Sequence, residues 1–116
     1  MARVMFVDDS KALIDNLAEL LQINGHEVIT AYNGQEGLAS LSLNPQIIFC
    51  DYNMPIMNGY EFILAIKRDT KYVSYRNIPI VGIGEFPDDK KEHLVESLTK
   101  PVHSLELRRC IDQYCQ

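Results

Sequence analysis

The stretch Ile47-Ile48-Phe49-Cys50-Asp51-Tyr52-Asn53-Met54-Pro55-Ile56-Met57-Asn58-Gly59 decides the fold. Its first four residues form an unbroken apolar run, as in a strand covered on both faces, and such strands belong to parallel sheets. Asp51 ends the run, and Pro55 and Gly59 mark an irregular connection. Beyond Gly59 the spacing changes, with Phe62, Ile63 and Ile66 on one face of a helix over residues 60–68. Working outward, the alternation repeats. Residues 4–7, 28–31 and 80–83 are short runs rich in Val, Ile and Phe, and 95–99 is the expected fifth strand. Between them, Ser10 is an N-cap for a helix bearing Leu13, Ile14, Leu17, Leu20 and Leu21, which Gly25 stops. Asn33 with Glu36 resembles a capping box for a helix to Leu43, closed by Asn44-Pro45. A last helix starts at Ser104 and carries Leu105, Leu107, Ile111, Tyr114 and two cysteines, Cys110 and Cys115. Strands alternating with helices at these lengths imply βαβ units, hence a doubly wound α/β fold with helices on both faces of a parallel sheet. The least regular segments are 70–77 and 85–92, where Phe86-Pro87-Asp88-Asp89 reads as a turn.

The chain has 116 residues, 47% apolar and 23% charged, a globular rather than a disordered composition. That length makes one domain, residues 1–116, with a core that needs no disulfide or metal. A net charge of -5 and a pI near 5.1 argue against a nucleic acid partner, because phosphate-backbone binders carry clustered basic residues. No apolar run reaches the length of a membrane span, and Met1-Ala2-Arg3 enters a strand without a signal peptide's apolar stretch. No membrane partner is expected. Cys50, Cys110 and Cys115 are odd in number and lack CxxC spacing, which fits reduced thiols in the cytoplasm.

Charged residues fall just past strand ends. Asp8 and Asp9 follow the first run, Asp51 the third and Lys100 the fifth. In an open parallel sheet that edge holds the binding crevice, where strand order reverses. If the first and third strands are neighbours, three carboxylates converge and raise one another's pKa. A divalent cation removes that difficulty, and oxygen ligands suit Mg²⁺ or Mn²⁺. Taken singly, Asp8-Asp9 read as helix-capping residues and Asp51 as a turn residue; taken together with Lys100, they read as a site.

These residues carry a family resemblance over almost the whole chain. Val7-Asp8-Asp9-Ser10, Asp51 to Gly59, and Leu98-Thr99-Lys100-Pro101 resemble the receiver domain of two-component response regulators. The resemblance implies a flavodoxin-like, five-stranded sheet of order 2-1-3-4-5. It implies Asp51 as phosphoacceptor, Asp9 and Asp51 as direct Mg²⁺ (or Mn²⁺) ligands, and Asp8 acting through water. The main-chain carbonyl of Asn53 completes the metal site, Lys100 pairs with the phosphoryl oxygens, and the Lys100-Pro101 bond is cis. The implied partners are a histidine kinase or phosphotransfer protein and a downstream protein reached by contact. The chain is then a phosphoacceptor and not an enzyme, catalysing at most its own phosphorylation and dephosphorylation. The chemistry agrees, since a carboxylate is a competent phosphoryl nucleophile and a metal with one lysine supplies the charge neutralisation that transfer needs.

Two positions depart from the family. Gly84 stands where the fourth strand normally ends in Thr or Ser, and Ser97 replaces the aromatic of the fifth strand. The interval from Gly84 to Lys100 is several residues short, so the fourth helix region, 88–94, is a turn or two or irregular. A hydroxyl restored at Gly84 is expected to speed phosphorylation, unless the backbone there has a positive φ. The departures favour a phosphorylation-independent pseudo-receiver binding module; Asp8, Asp9, Asp51 and Lys100 favour a working phosphoacceptor. A phosphohydrolase of the haloacid-dehalogenase kind is disfavoured because Asn53 stands where its second Asp belongs. Gly82-Ile83-Gly84 reads as glycine at a crowded strand end rather than a dinucleotide loop, since Pro87 takes the third glycine's place. Cys50 reads as core, His26, His93 and His103 show no ligand spacing, and Tyr72–Tyr75 with Lys71 and Arg76 reads as a solvated loop whose aromatics could serve a partner.

Overall fold

The two longest fully or nearly fully buried runs, β1 (Arg3–Val7) and β3 (Ile47–Asp51), lie side by side within the sheet. A computed structural model describes residues 1–115 of the chain. The remaining strands are β2 (Glu27–Ala31), β4 (Ile80–Ile83) and β5 (Glu96–Leu98), all parallel, in the order β2-β1-β3-β4-β5. This is the expected order. The edge strands β2 and β5 keep exposed residues, whereas every residue of β3 and β4 is buried. Parallel strands covered on both faces require apolar side chains on both, hence their unbroken runs.

Helices α1 (Lys11–Ile23) and α4 (Ser104–Tyr114) cover one face. There Ile14, Leu17, Leu21, Leu107 and Ile111 pack with Phe6, Phe49 and Val81. Phe6 and Phe49 stack at 5.2 Å between ring centroids. The other face carries α2 (Gly34–Ser40) and α3 (Gly59–Arg68), with Phe62, Ile63 and Ile66 packed against Met5, Ile48 and Cys50. Among the described residues, no helix is long and apolar enough to cross a membrane.

Local signals worked with corrections. Ser10 caps α1, accepting from the Leu13 N–H at 3.4 Å. Asn33 caps α2, but Glu36 accepts from the Tyr32 N–H rather than closing a box on Asn33. The complete box belongs to α3, between Asn58 and Glu61. The second helix stops at Ser40, and Leu41–Leu43 tightens into a 3₁₀ turn before Asn44 takes φ 60°. Strand β5 is narrower than expected, and Cys115 lies one residue beyond α4. Thr70–Tyr75 is not a solvated loop: it forms 3₁₀ turns whose Tyr72 and Tyr75 rest against the core.

The fourth connection holds only the 3₁₀ turn Asp88–Lys90, matching the shortened region. Phe86 is more than a turn residue, because it is 4% exposed and packs into the core with Leu94 beside it. Gly82 of β4 makes room for both: a Cβ there would lie 2.7 Å from Leu94 and 3.0 Å from Phe86. An aromatic and a leucine cover β4 where a helix is usual.

Candidate functional site

Because β1 and β3 pair with Val7 opposite Cys50, the residues that follow them share the carboxyl edge of the sheet. One oxygen each from Asp8, Asp9 and Asp51 lies within 4.8 Å of the others, the sole such acidic or metal-ligating cluster among the described residues. Asp8 is fully buried, Asp51 nearly so, and Asp9 is exposed. Lys100, just past β5, reaches in with its Nζ 3.0 Å from Asp8 Oδ2 and 3.4 Å from Asp51 Oδ2. The N–H of Ser10 donates to Asp8 Oδ1, and that of Tyr52 donates to Asp51 Oδ1, both at 2.8 Å. The Lys100-Pro101 peptide bond is cis, as expected.

The electrostatics are unbalanced. Burial pushes the Asp51 carboxyl above its ordinary range and Asp8 pushes it further, with Lys100 and the Tyr52 N–H pulling the other way. Burial works against the Lys100 ammonium, but Asp8 and Asp51 outweigh it and hold that pKa up. Asp8 Oδ2 has no hydrogen-bond partner although the ammonium is close, so it is charge-compensated without a directed donor. Three carboxylates against one cation, with a buried oxygen lone pair unused, fit a hard divalent cation with oxygen ligands. Beside them, burial and then the charges of Asp51 and Asp8 raise the Cys50 thiol well above its ordinary value. It stays protonated and inert, a core residue as expected.

The cleft over Asp51 has a volume of about 400 Å³ and is lined by Asp51, Asn53, Gly84, Glu85, Thr99 and Lys100. Gly84 thus stands beside Asp51, as expected from its place after β4. Its φ is +86°, and a Cβ would lie 3.1 Å from Asp51 Oδ1. A side chain there is strained, so the positive φ that was the stated exception to a faster reaction with a restored hydroxyl is the conformation found. Ser97 is exposed on β5, opposite Gly82. Glu85 and Thr99 were not singled out as cleft residues; their adjacency to Gly84 and Lys100 was the available signal. The ring of Tyr52 tilts against Phe86 at 5.2 Å, joining the residue after Asp51 to the segment that replaces the helix. Neither the three histidines nor Cys110 and Cys115 line this cleft. Burial pushes the Cys110 thiol up to about 11.

The family model for the response regulator receiver domain matches residues 4–112. The chain belongs to the response regulator receiver family. It is 30% identical to Protein PilH of Pseudomonas aeruginosa, over 97% of this chain and 96% of that one. With Protein PilG of the same organism it shares 36% identity over 90% and 81%. Among solved structures it resembles the chemotaxis response regulator CheY4 of Vibrio cholerae, with a TM-score of 0.83 and 31% identity over 98% of both chains. It also resembles the response regulator TrrA of Thermotoga maritima in complex with Mg²⁺ and BeF, with a TM-score of 0.82 and 26% identity over 98% and 99%. The protein is therefore a receiver domain of two-component signalling, a family typified by Mg²⁺ and phosphoaspartate, and the Asp8–Asp9–Asp51 pocket is its acidic site.

Proposed function

We propose that this receiver accepts a phosphoryl group on Asp51 from a phosphohistidine of a histidine kinase or phosphotransfer protein and signals by protein contact. The observation that carries the reading is the convergence of Asp8, Asp9 and Asp51 within 4.8 Å with Lys100 among them. In the transfer, the N–P bond of the donor breaks as an Asp51 carboxylate oxygen bonds to phosphorus. The histidine leaves with its electron pair and takes a proton. Asp9 and Asp51 are assigned as direct ligands of Mg²⁺ or Mn²⁺, Asp8 as a ligand through water, and the Asn53 carbonyl as the last protein donor. The metal, when bound, neutralises charge on the phosphoryl oxygens. Lys100 adds a point charge to the same oxygens, and Asp8 holds it in position. The Mg²⁺–BeF complex of the similar TrrA supports this assignment. Free cysteines and the absence among described residues of a helix fit to cross a membrane accord with action in the cytoplasm.

A second reading, a pseudo-receiver that binds partners without phosphorylation, is favoured by the positive φ of Gly84 and by exposed Ser97. Incubation with acetyl phosphate and Mg²⁺ followed by intact-mass measurement separates the two. The parent gains one phosphoryl group and Asp51→Asn gains none. No mass gain in the folded parent, or an equal gain in Asp51→Asn, contradicts the assignment.

A further inference from the structure

The end of the molecule remote from Asp51 carries an unpaired basic surface. Helix α3 begins beside the acceptor, where Gly59 donates to the Tyr52 carbonyl, and runs back to Arg68. The 3₁₀ segment Thr70–Tyr75 follows and leads into the first residue of β4. Residues 67–76 hold Lys67, Arg68, Lys71 and Arg76, four of the chain's 11 basic residues, against one acid, Asp69. Asp69 is spent as a cap, accepting from the Lys71 N–H at 3.0 Å. Lys67 and Arg76 fasten the segment by donating to the carbonyls of Arg76 and Ile66, which leaves their charges unopposed. Among the described residues no carboxylate pairs with any of the four, whereas Lys90, Lys91, Lys100 and Arg109 all have acidic partners. Burial lowers the Lys67 pKa, the direction expected of a cation without a counter-charge.

Beside these cations lies a cleft of about 320 Å³ between α2 and the 3₁₀ segment, lined by Leu38, Ala39, Ser42, Lys71, Tyr72 and Tyr75. Lys71 Nζ stands 5.6 Å from the centre of the Tyr72 ring, and Val73, next in the chain, is 55% exposed. Half-buried tyrosines combine apolar contact with a polar tip, as binding surfaces do. We infer that this cleft and its cations dock an acidic segment of a partner protein, which places an apolar side chain between the tyrosines and carboxylates on Lys71 and Arg68. Charge complementarity argues for that occupant: the patch is locally basic on a chain of net charge -5. A nucleic acid would have to overcome the repulsion of that net charge. The surface shares no residue with the Asp51 cleft, so substitutions at Arg68 and Lys71 leave the lining of that cleft intact.

The test uses the full chain and an array of fluorescent glutamate-rich peptides with a varied central apolar pair, read by anisotropy. At least one peptide binds, its affinity falls as salt rises, and the Arg68→Glu/Lys71→Glu variant weakens it by about tenfold or more. Labelling of that variant by acetyl phosphate stays at the parent's rate, which shows that it is folded; circular dichroism shows the same if the parent does not label at all. No binding by the parent overturns the inference. So does undiminished binding by the folded variant, equal binding of glutamine-for-glutamate peptides, or tighter binding of a single-stranded oligonucleotide than of any peptide.

Discussion

Around β1 and β3 the carboxyl edge of the sheet carries Asp8, Asp9, Asp51 and Lys100 in close mutual contact. Around β4 and β5 the same edge carries a glycine at φ +86°, the middle of β5 carries an exposed serine, and the fourth helix is replaced by Phe86, Leu94 and one 3₁₀ turn. The first half keeps the full charge set that the proposed phosphoryl transfer requires. The second lacks a hydroxyl at position 84 and an aromatic at position 97, the two departures from the family pattern. The lesson is that the two halves are unequally equipped, although they remain joined by the β3–β4 backbone ladder, by the Tyr52–Phe86 contact and by the ion pairs of Lys100 with Asp8 and Asp51.

The comparison can be broken first at Phe86. It is 4% exposed and fills the space over Gly82, so Phe86→Ala is expected to cost about 3–5 kcal/mol in urea denaturation. A loss well under 1 kcal/mol would mean that the 84–95 segment is a passive loop and not a substitute for a helix. Gly84→Thr comes next. Its left-handed backbone and the nearness of Asp51 Oδ1 predict a cost of about 1–3 kcal/mol. Labelling by acetyl phosphate is also expected to be slower than in the parent. A variant of parental stability that labels faster would show that the second half merely lost a hydroxyl.

Asp51→Asn sharpens the electrostatic side. The Asp51 pKa is raised, by burial first and by Asp8 second, so its ionised form is less favourable in the folded state than in the unfolded one. That penalty is absent below the unfolded pKa and is fully present above the folded one. Removing the charge is therefore expected to raise the metal-free Tm at neutral pH by a few degrees, and to abolish the further rise that Mg²⁺ gives the parent. A lower Tm for Asp51→Asn would contradict the surplus of negative charge. The smallest effect concerns Glu96, which accepts from Arg109 and from Tyr114. Arg109 first, with Tyr114 assisting against burial, holds its carboxyl below the ordinary range, so its contribution exists above the unfolded glutamate pKa and fades as pH falls. For this partly exposed pair, Glu96→Gln should cost about 0.5 kcal/mol near neutral pH and nothing in strong acid. A cost that grows on acidification would reverse the sign.

The fold was legible because each buried strand is an unbroken apolar run and α1, α2 and α3 are each set off by a cap. The acidic cluster with Lys100 was legible because its charges stand immediately after strand ends, where sequence position dictates location. What escaped depended on through-space packing. Phe86-Pro87-Asp88-Asp89 has the composition of a turn, and only the bare Gly82 on β4 reveals that Phe86 turns inward. Tyr72 and Tyr75 lie in a polar, irregular stretch, and their contact with the core depends on how α3 ends. The sign of φ at Gly84 is invisible in a sequence, since glycine permits either.

How far the two unequal halves respond together is tested most directly by amide hydrogen exchange with and without Mg²⁺ and beryllofluoride. The account predicts altered protection after Asp8, in the loop 52–58 and in 84–95, with β5 and α4 unchanged. Altered protection spread through Glu96–Leu98 and Ser104–Tyr114 would contradict it, because the acceptor would then be coupled to the far surface without the residues thought necessary.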